Sequence, residues 1–460
     1  MRLFLCLLLF LCNYSYLNGH GSDSERPNIL LIFVDDMGYG DLGCYGGSII
    51  PTPNIDHLAD NGIRFTQGYS ASSVCGPSRV GLLTGLRPSR LGVYSNPDMG
   101  RVIIPDNHPS LGELFQQAGY RTGIIGKWNL NEPRQNNLRA KNHFDYTHSI
   151  MVWEANYWPD SKGGYHGVED RNYGSTKLNG TWGPLNEGDE YLTDRLSRKA
   201  CDFIREESDT PFFLYLAYNA PHSPLQGKAA HLPQLKHIQS EPQKLYASML
   251  LAIEEGVGNI LETLREQNEL DHTIILFVSD NGPAKTNFKG LLPDWPRNQM
   301  LGSTAGFNGG KGTFLEGGIR VPFILYWPDV IQSSRTNDTP ISTLDLYPTL
   351  GALVNAEIPS SVKPDGINLL PHLFSDASPL LNRTFIWYSD KSWAVREGNW
   401  KLVYDIKEGS RLFNLKQNPT ETENRIDQDP DISQRLQSIL SNWEKEIPPP
   451  VTPRKTLRSL

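Results

Sequence analysis

The run Asn28-Ile-Leu-Leu-Ile-Phe-Val34, closed by Asp35-Asp36, decides the architecture. An uninterrupted apolar stretch with β-branched residues describes a strand buried on both faces, as in a sheet covered by helices on each side. Similar runs recur at residues 122–125, 212–217, 273–278 and 322–326. Between them apolar residues fall at helical spacing: Leu111, Leu114, Phe115 and Ala118 ending at Gly119, then Leu192, Leu196, Ala200 and Phe203, then Leu245, Met249, Ala252, Ile253, Val257, Ile260 and Leu264. Strands alternating with helices predict an α/β layer architecture. Ligands of such sheets collect beyond the carboxyl ends of the strands, and polar residues stand at two of those ends, Asp35-Asp36 and Asp280-Asn281.

At 460 residues the chain is long enough for a large core plus an appendage. With 38% hydrophobic and 20% charged residues it is an ordinary globular chain, which excludes disorder and collagen-like repeats. The formal charge of −8, without a long Lys/Arg run, argues against a nucleic-acid partner. Met1-Arg2 and the apolar residues 3–12 lead into Asn13-Tyr14-Ser15, the pattern of a secretory signal peptide over residues 1–21, with cleavage expected between Tyr16 and Ser22. Ten apolar residues are too few for a membrane-crossing helix, and no later stretch approaches the necessary ~18. Sequons at Asn179, Asn337 and Asn382 agree with a secretory route, secreted or lysosomal.

Residues 22–362 form the expected main body, interrupted by a polar, aromatic-bearing insertion at 129–189 with Trp153, Tyr157, Trp158, Tyr165, Tyr173 and Trp182. A long break of this kind inside a domain is usually functional. Its aromatics either stack on a sugar ring or pin the loop to the body. Residues 363–460 are expected to form a C-terminal subdomain, with short strands at 394–396 and 400–404 and a polar helix over about 432–445. No internal repeat is visible.

Without the signal, the cysteines are Cys44, Cys75 and Cys201. In an oxidising compartment three means either one pair and a leftover thiol, or a cysteine diverted to chemistry. Asp35-Asp36 and Asp280-Asn281 offer hard oxygen ligands, which favour Ca²⁺ or Mg²⁺ over zinc. In Cys75-Gly76-Pro77-Ser78-Arg79-Val80-Gly81-Leu82-Leu83-Thr84-Gly85 a cysteine precedes a helix expected to start at Pro77. Helix N-terminal N–H groups and Arg79 attract an anion, so Cys75 reads as a nucleophile or metal ligand in an anion pocket.

That string resembles the signature of the type I sulfatases, Cys-x-Pro-Ser-Arg followed by Leu-Thr-Gly, whose cysteine is oxidised to formylglycine by the formylglycine-generating enzyme of the secretory pathway. The likeness, of an arylsulfatase or N-acetylgalactosamine-6-sulfatase type, spans roughly residues 26–424. It includes Asp35-Asp36-Met37-Gly38, Gly126-Lys127-Trp128, Ala220-Pro221-His222, Ser279-Asp280-Asn281-Gly282, Gly310-Lys311-Gly312-Thr313 and Trp400-Lys401-Leu402-Val403. The fold implied is the alkaline-phosphatase-like α/β sandwich: a large mixed sheet flanked by helices, with a small C-terminal α+β subdomain. The resemblance makes Asp35, Asp36, Asp280 and Asn281 ligands of one Ca²⁺, completed by the converted Cys75. One hydroxyl of the hydrated formylglycine would attack sulfur, Arg79, Lys127 and Lys311 would neutralise the sulfate oxygens, and His222 would protonate the leaving oxygen. The implied substrate is a sulfated carbohydrate or similar sulfate ester.

One position departs. Where the family has Lys-Trp-His-Leu-Gly, this chain has Lys127-Trp128-Asn129-Leu130-Asn131. The missing histidine is the proposed base for the second half-reaction, and a carboxamide cannot serve as a base near neutral pH. The substitution raises two alternatives: slow turnover, or a non-catalytic protein that binds sulfated glycan. A phosphoester hydrolase of the same superfamily is disfavoured, because those relatives generally place Thr or Ser at the position of Cys75.

Overall fold

The computed structural model describes residues 26–99, 104–105, 107–130, 143–150, 155–159, 189–286, 298–331, 333–373 and 383–451. The expected leader at 1–21, the sequons Asn179 and Asn382, and the insertion residues Trp153, Tyr165, Tyr173 and Trp182 lie outside these.

Ten strands belong to the body among the described residues: β1 (Asn28–Val34), β2 (Ile63–Phe65), β3 (Gly68–Tyr69), β4 (Arg121–Lys127), β5 (Tyr146–Ile150), β6 (Phe212–Ala217), β7 (Thr273–Ser279), β8 (Phe323–Tyr326), β9 (Arg335–Asn337) and β10 (Ile341–Ser342). Eight make one mixed sheet in the order β5-β4-β6-β1-β7-β8-β2-β9. β1 runs parallel to both β6 and β7, while β8 is antiparallel to β7 and β2. The alternation of β1 explains its continuous apolar run. Leu30, Ile32 and Val34 enter one core with helices Leu192–Arg205 and Glu241–Glu266; Ile29, Leu31 and Phe33 enter a second with helices Cys75–Thr84, Leu111–Gln117 and Leu346–Leu353. Both faces are dry, so truncating one of these leucines to Ala would cost about 2–5 kcal/mol.

The C-terminal part is a four-stranded antiparallel sheet, β11 (Thr384–Tyr388), β12 (Ser392–Glu397), β13 (Trp400–Asp405) and β14 (Gly409–Asn414). One face carries Val395, Leu402 and Leu412 under the helix Pro430–Glu444. The other sets Phe385, Trp387, Val403 and Phe413 against Tyr69, Phe314 and Ile319 of the body. Between the two parts, Lys401 is fully buried and paired with Glu316 at 2.8 Å and Glu421 at 2.9 Å.

The expected sheet, flanking helices and small C-terminal α+β unit are all present, with three differences in detail. The helix begins at Cys75 rather than at Pro77, so Pro77 sits inside the first turn, where its missing N–H is harmless. The 129–189 stretch is not wholly irregular: β5 adds an edge strand beside β4. Its residues Tyr157 and Trp158 are buried against Tyr191 and bonded to Gln226 and Gly227, so these two pin the segment to the body. Cys44, Cys75 and Cys201 are all free thiols, so no pair forms among them.

Candidate active site

Four adjacent parallel strands deliver the site at their carboxyl ends. Lys127 is the last residue of β4; His222 follows β6; Asp35 and Asp36 follow β1; Asp280 and Asn281 follow β7. Gly126, at φ +100°, precedes Lys127, and a Cβ there would run into the Ala217 carbonyl of β6, so only glycine lets β4 pass this close. From one face of the sheet, the helix Cys75–Thr84 supplies Cys75 and, one turn on, Arg79. Lys311 comes from the loop before β8, held by its backbone N–H to the Pro283 carbonyl.

These side chains converge in a buried cluster. Ligand atoms of Asp35, Asp36 and Asp280 lie within 4.8 Å of one another, as do those of Asp35, Cys75 and His222. Arg79, fully buried, donates to Asp280 at 2.8 Å, to the Lys127 carbonyl at 2.9 Å and to the Tyr215 hydroxyl at 3.3 Å. Lys127 pairs with Asp35, and Lys311 with Asp36 at 2.6 Å. Asn281 donates to Asp36 at 2.7 Å, and His222 Nε2 stands 3.8 Å from the same carboxylate. Asp36 holds a left-handed φ of +66°, an unfavourable state for an acidic residue that the surrounding contacts enforce. Every position expected from the sequence is therefore brought together here.

The electrostatics follow from burial and crowding. Burial would raise the Asp35 carboxyl, but Lys127, His222, Arg79 and Lys311 together hold it well below the usual carboxylate range. Asp280 goes the other way, pushed up to about 7 by burial and by the charge of Asp35, against the pull of Arg79. His222 is held down to about 4 by burial, Lys311 and Lys127. Its Nδ1 lies 2.7 Å from the Ser223 carbonyl, which fixes the proton there and leaves Nε2 bare near pH 7. Two buried oxygens, Asp35 Oδ1 and Asn281 Oδ1, have no hydrogen-bond partner among the described residues. Orphaned oxygen lone pairs beside three crowded carboxylates match the donor set of a hard divalent cation. Asp35, Asp36, Asp280 and Asn281 would hold such an ion, whose charge would offset the crowded carboxylates that now pair with Lys127 and Lys311.

Two contacts of Cys75 complete the geometry. Asn129, at the position of the family's histidine and at φ +53°, points its Nδ2 at Cys75 Sγ from 3.4 Å. Asn96 reaches the same sulfur with Nδ2 at 3.6 Å, a residue that sequence reasoning missed, since Asn96-Pro97-Asp98 reads as an ordinary turn.

Comparison with known proteins agrees with the fold. A profile of the sulfatase family matches residues 27–356, and one of the N-sulphoglucosamine sulphohydrolase C-terminal region matches residues 310–446. The chain is 29% identical to the uncharacterized sulfatase YdeN of Escherichia coli over 94% of its own length and 88% of that protein's. It is 27% identical to the N-acetylgalactosamine-6-O-sulfatase of Bacteroides thetaiotaomicron, covering 95% and 96%, and 33% identical to the N-acetylgalactosamine-6-sulfatase of Homo sapiens, covering 80% and 70%. Among solved structures, Ps i-CgsB in complex with k-i-k-neocarrahexaose matches with a TM-score of 0.80 at 29% identity, covering 92% of this chain and 94% of that one. The PsFucS1 sulfatase from Pseudoalteromonas sp. shares the fold at a TM-score of 0.74 and 24% identity, covering 96% and 95%. The body is thus the alkaline-phosphatase-like sandwich, and the chain belongs to the sulfatase family, the sulfuric ester hydrolases.

Proposed function

We propose that this protein hydrolyses sulfate esters of carbohydrates, using a formylglycine made from Cys75 and one Ca²⁺ held by Asp35, Asp36, Asp280 and Asn281. The observation that carries the reading is the meeting of Cys75, Asp35 and His222 within 4.8 Å, with Arg79 one helical turn from the cysteine. Formylglycine supplies a hydrated aldehyde as nucleophile, and Ca²⁺ supplies charge to activate it and to bind a sulfate oxygen. The chain's own groups do the rest. Arg79, Lys127 and Lys311 bind the remaining sulfate oxygens, masking the negative shell that repels a nucleophile. His222 Nε2, 3.8 Å from the Asp36 carboxylate, faces the same space and is placed to protonate the leaving alcohol. Carbohydrate is favoured because relatives of this chain act on N-acetylgalactosamine-6-sulfate by name and one match was solved with a neocarrahexaose. The N-terminal run supports passage through the secretory pathway, to the lysosome or outside the cell, where the formylglycine-generating enzyme would act. No helix among the described residues is long and apolar enough to cross a membrane.

Asn129 favours a second reading. With a carboxamide beside residue 75 in place of a base, the second half-reaction slows by up to ~10²–10⁴, leaving a slow enzyme or a protein that holds sulfated glycan. Rates on 4-nitrophenyl sulfate, 4-nitrophenyl phosphate and sulfated oligosaccharides, before and after chelation, separate the cases. Sulfate release that chelation removes and Ca²⁺ restores is expected. Preferential phosphate release would overturn the proposal, and binding of sulfated glycan without release would favour the second reading.

A further inference from the structure

We propose that Asn96 belongs to the reaction centre, its carboxamide N–H holding the oxygen carried by residue 75 in line for attack. The proposal rests on reading Cys75 as the precursor of formylglycine. Asn96 makes two kinds of contact there. Its Oδ1 accepts the Gly76 backbone N–H at 3.2 Å, and its amide meets Cys75 Sγ with Nδ2 at 3.6 Å and Oδ1 at 3.8 Å. A backbone N–H can only donate, so the Gly76 bond fixes which end of the amide is oxygen and leaves Nδ2 for residue 75. Asn129 Nδ2 approaches the same atom from the end of β4 at 3.4 Å. Two donors from unrelated segments therefore converge on one side-chain atom. A thiol is a weak acceptor and makes poor use of them; an oxygen at that position would accept from both.

The donor is also braced. Asp98, fully buried, accepts the backbone N–H groups of Tyr94 at 2.8 Å and Ser95 at 3.1 Å, which locks the turn Asn96–Asp98. The Ser95 hydroxyl donates to Asp390 at 2.9 Å, in the hairpin between β11 and β12, so the C-terminal sheet holds the turn against the site. On the opposite side a Cβ at Gly76 would meet Met99 Cγ at 2.5 Å and Asn96 Oδ1 at 3.1 Å. Only glycine at 76 allows the turn to close to this distance.

A plainer role for Asn96 is to cap the helix, since Val74 at its N-cap offers no side-chain acceptor and the Gly76 N–H would otherwise be orphaned. Asn96→Asp separates the two roles: the carboxylate still accepts from Gly76 and suits a helix N-terminus, but it has no N–H to give. Asn96→Ala removes both. The full chain and both variants, co-expressed with the formylglycine-generating enzyme, would be compared by the mass of the peptide containing residue 75, by melting temperature, by kcat on 4-nitrophenyl sulfate, and by the rate at which the native protein forms an oxime with methoxyamine. The expectation is that kcat falls about tenfold in both variants, the second donor remaining, while only Asn96→Ala loses melting temperature. Oxime formation should quicken several-fold in both, because a hydrate that is less firmly held reverts more readily to the aldehyde that the probe attacks. An Asn96→Asp protein with the wild-type kcat and labelling rate would overturn the proposal and leave Asn96 a cap. A wild type that carries the aldehyde yet releases no sulfate would count against the sulfatase reading, while the labelling rates would still decide for or against Asn96. A wild type with no aldehyde would overturn both.

Discussion

Replacing Lys401 by Met removes the ammonium that Glu316 and Glu421 share. All three are buried: Lys401 and Glu316 fully, Glu421 to within 2%. In the wild type Lys401 Nζ lies 2.8 Å from Glu316 Oε1 and 2.9 Å from Glu421 Oε1. Glu316 would keep Arg320 at 3.3 Å and the Tyr69 hydroxyl at 2.7 Å, and Glu421, among the described residues, only the Glu316 backbone N–H at 2.6 Å. Taking one partner from a buried ion pair costs about 3–5 kcal/mol, since the remaining charge is left without compensation. At roughly 2.1 cal/mol/K of unfolding entropy per residue, a chain of this length loses about 1 °C of Tm per kcal/mol, so the variant should melt about 3–5 °C lower. Adding Glu421→Gln to Lys401→Met replaces the acid that has lost its partner by a neutral amide and should recover part of that loss above pH 7, where the acid would otherwise be charged or forced to hold a proton. The assay is a thermal melt by circular dichroism for the single and double variants. A Lys401→Met Tm within 1 °C of wild type, or a double variant less stable than the single one, would refute the view that this network clamps the C-terminal sheet to the body.

Two further outcomes are expected. Glu421 is pushed up to about 7 by burial and the charge of Glu316, against Lys401, from an ordinary 4.5. The folded chain therefore holds an extra proton across that window, and this group's contribution to stability falls as pH rises from about 4.5 through 7. Glu421→Gln alone should remove that slope, so its Tm relative to wild type should rise between pH 5 and pH 7.5; a constant difference would contradict the assignment. Asn129→His should restore a base 3–4 Å from residue 75 and raise steady-state sulfate release by about 10–10²-fold, with a wild-type burst giving way to faster turnover. Unchanged burst and turnover would mean that another group already takes the proton.

The fold was legible where burial writes a pattern into the chain. β1, β6 and β7 lie in the middle of the sheet with cores on both faces, so each is an unbroken apolar run with visible ends. The strands β2 and β9 are three residues long, and β5 is the polar edge strand Tyr-Thr-His-Ser-Ile; segments so short or so wet carry little periodicity. Within the site, Asp35-Asp36 and Asp280-Asn281 were readable because a polar pair ending a buried strand must point at something. Arg79 and Cys75 were readable from one string. Asn96 was not, because its contact with Cys75 exists only after the turn and the helix have packed together. The same holds for Lys401, Glu316 and Glu421: partners 85 and 105 positions apart leave no local signal.

The central claim, a formylglycine at residue 75 working with Ca²⁺ on sulfate esters, meets its most direct test in one preparation. The protein would be co-expressed with the formylglycine-generating enzyme, the peptide containing Cys75 weighed, and 4-nitrophenyl sulfate hydrolysis followed with and without Ca²⁺. The account predicts the mass of the aldehyde in place of the thiol and sulfate release that depends on the metal. An unconverted Cys75 in a protein that still cleaves the ester, or conversion with no release at any Ca²⁺ concentration, would contradict it, the latter turning attention to Asn129 and a glycan-binding role.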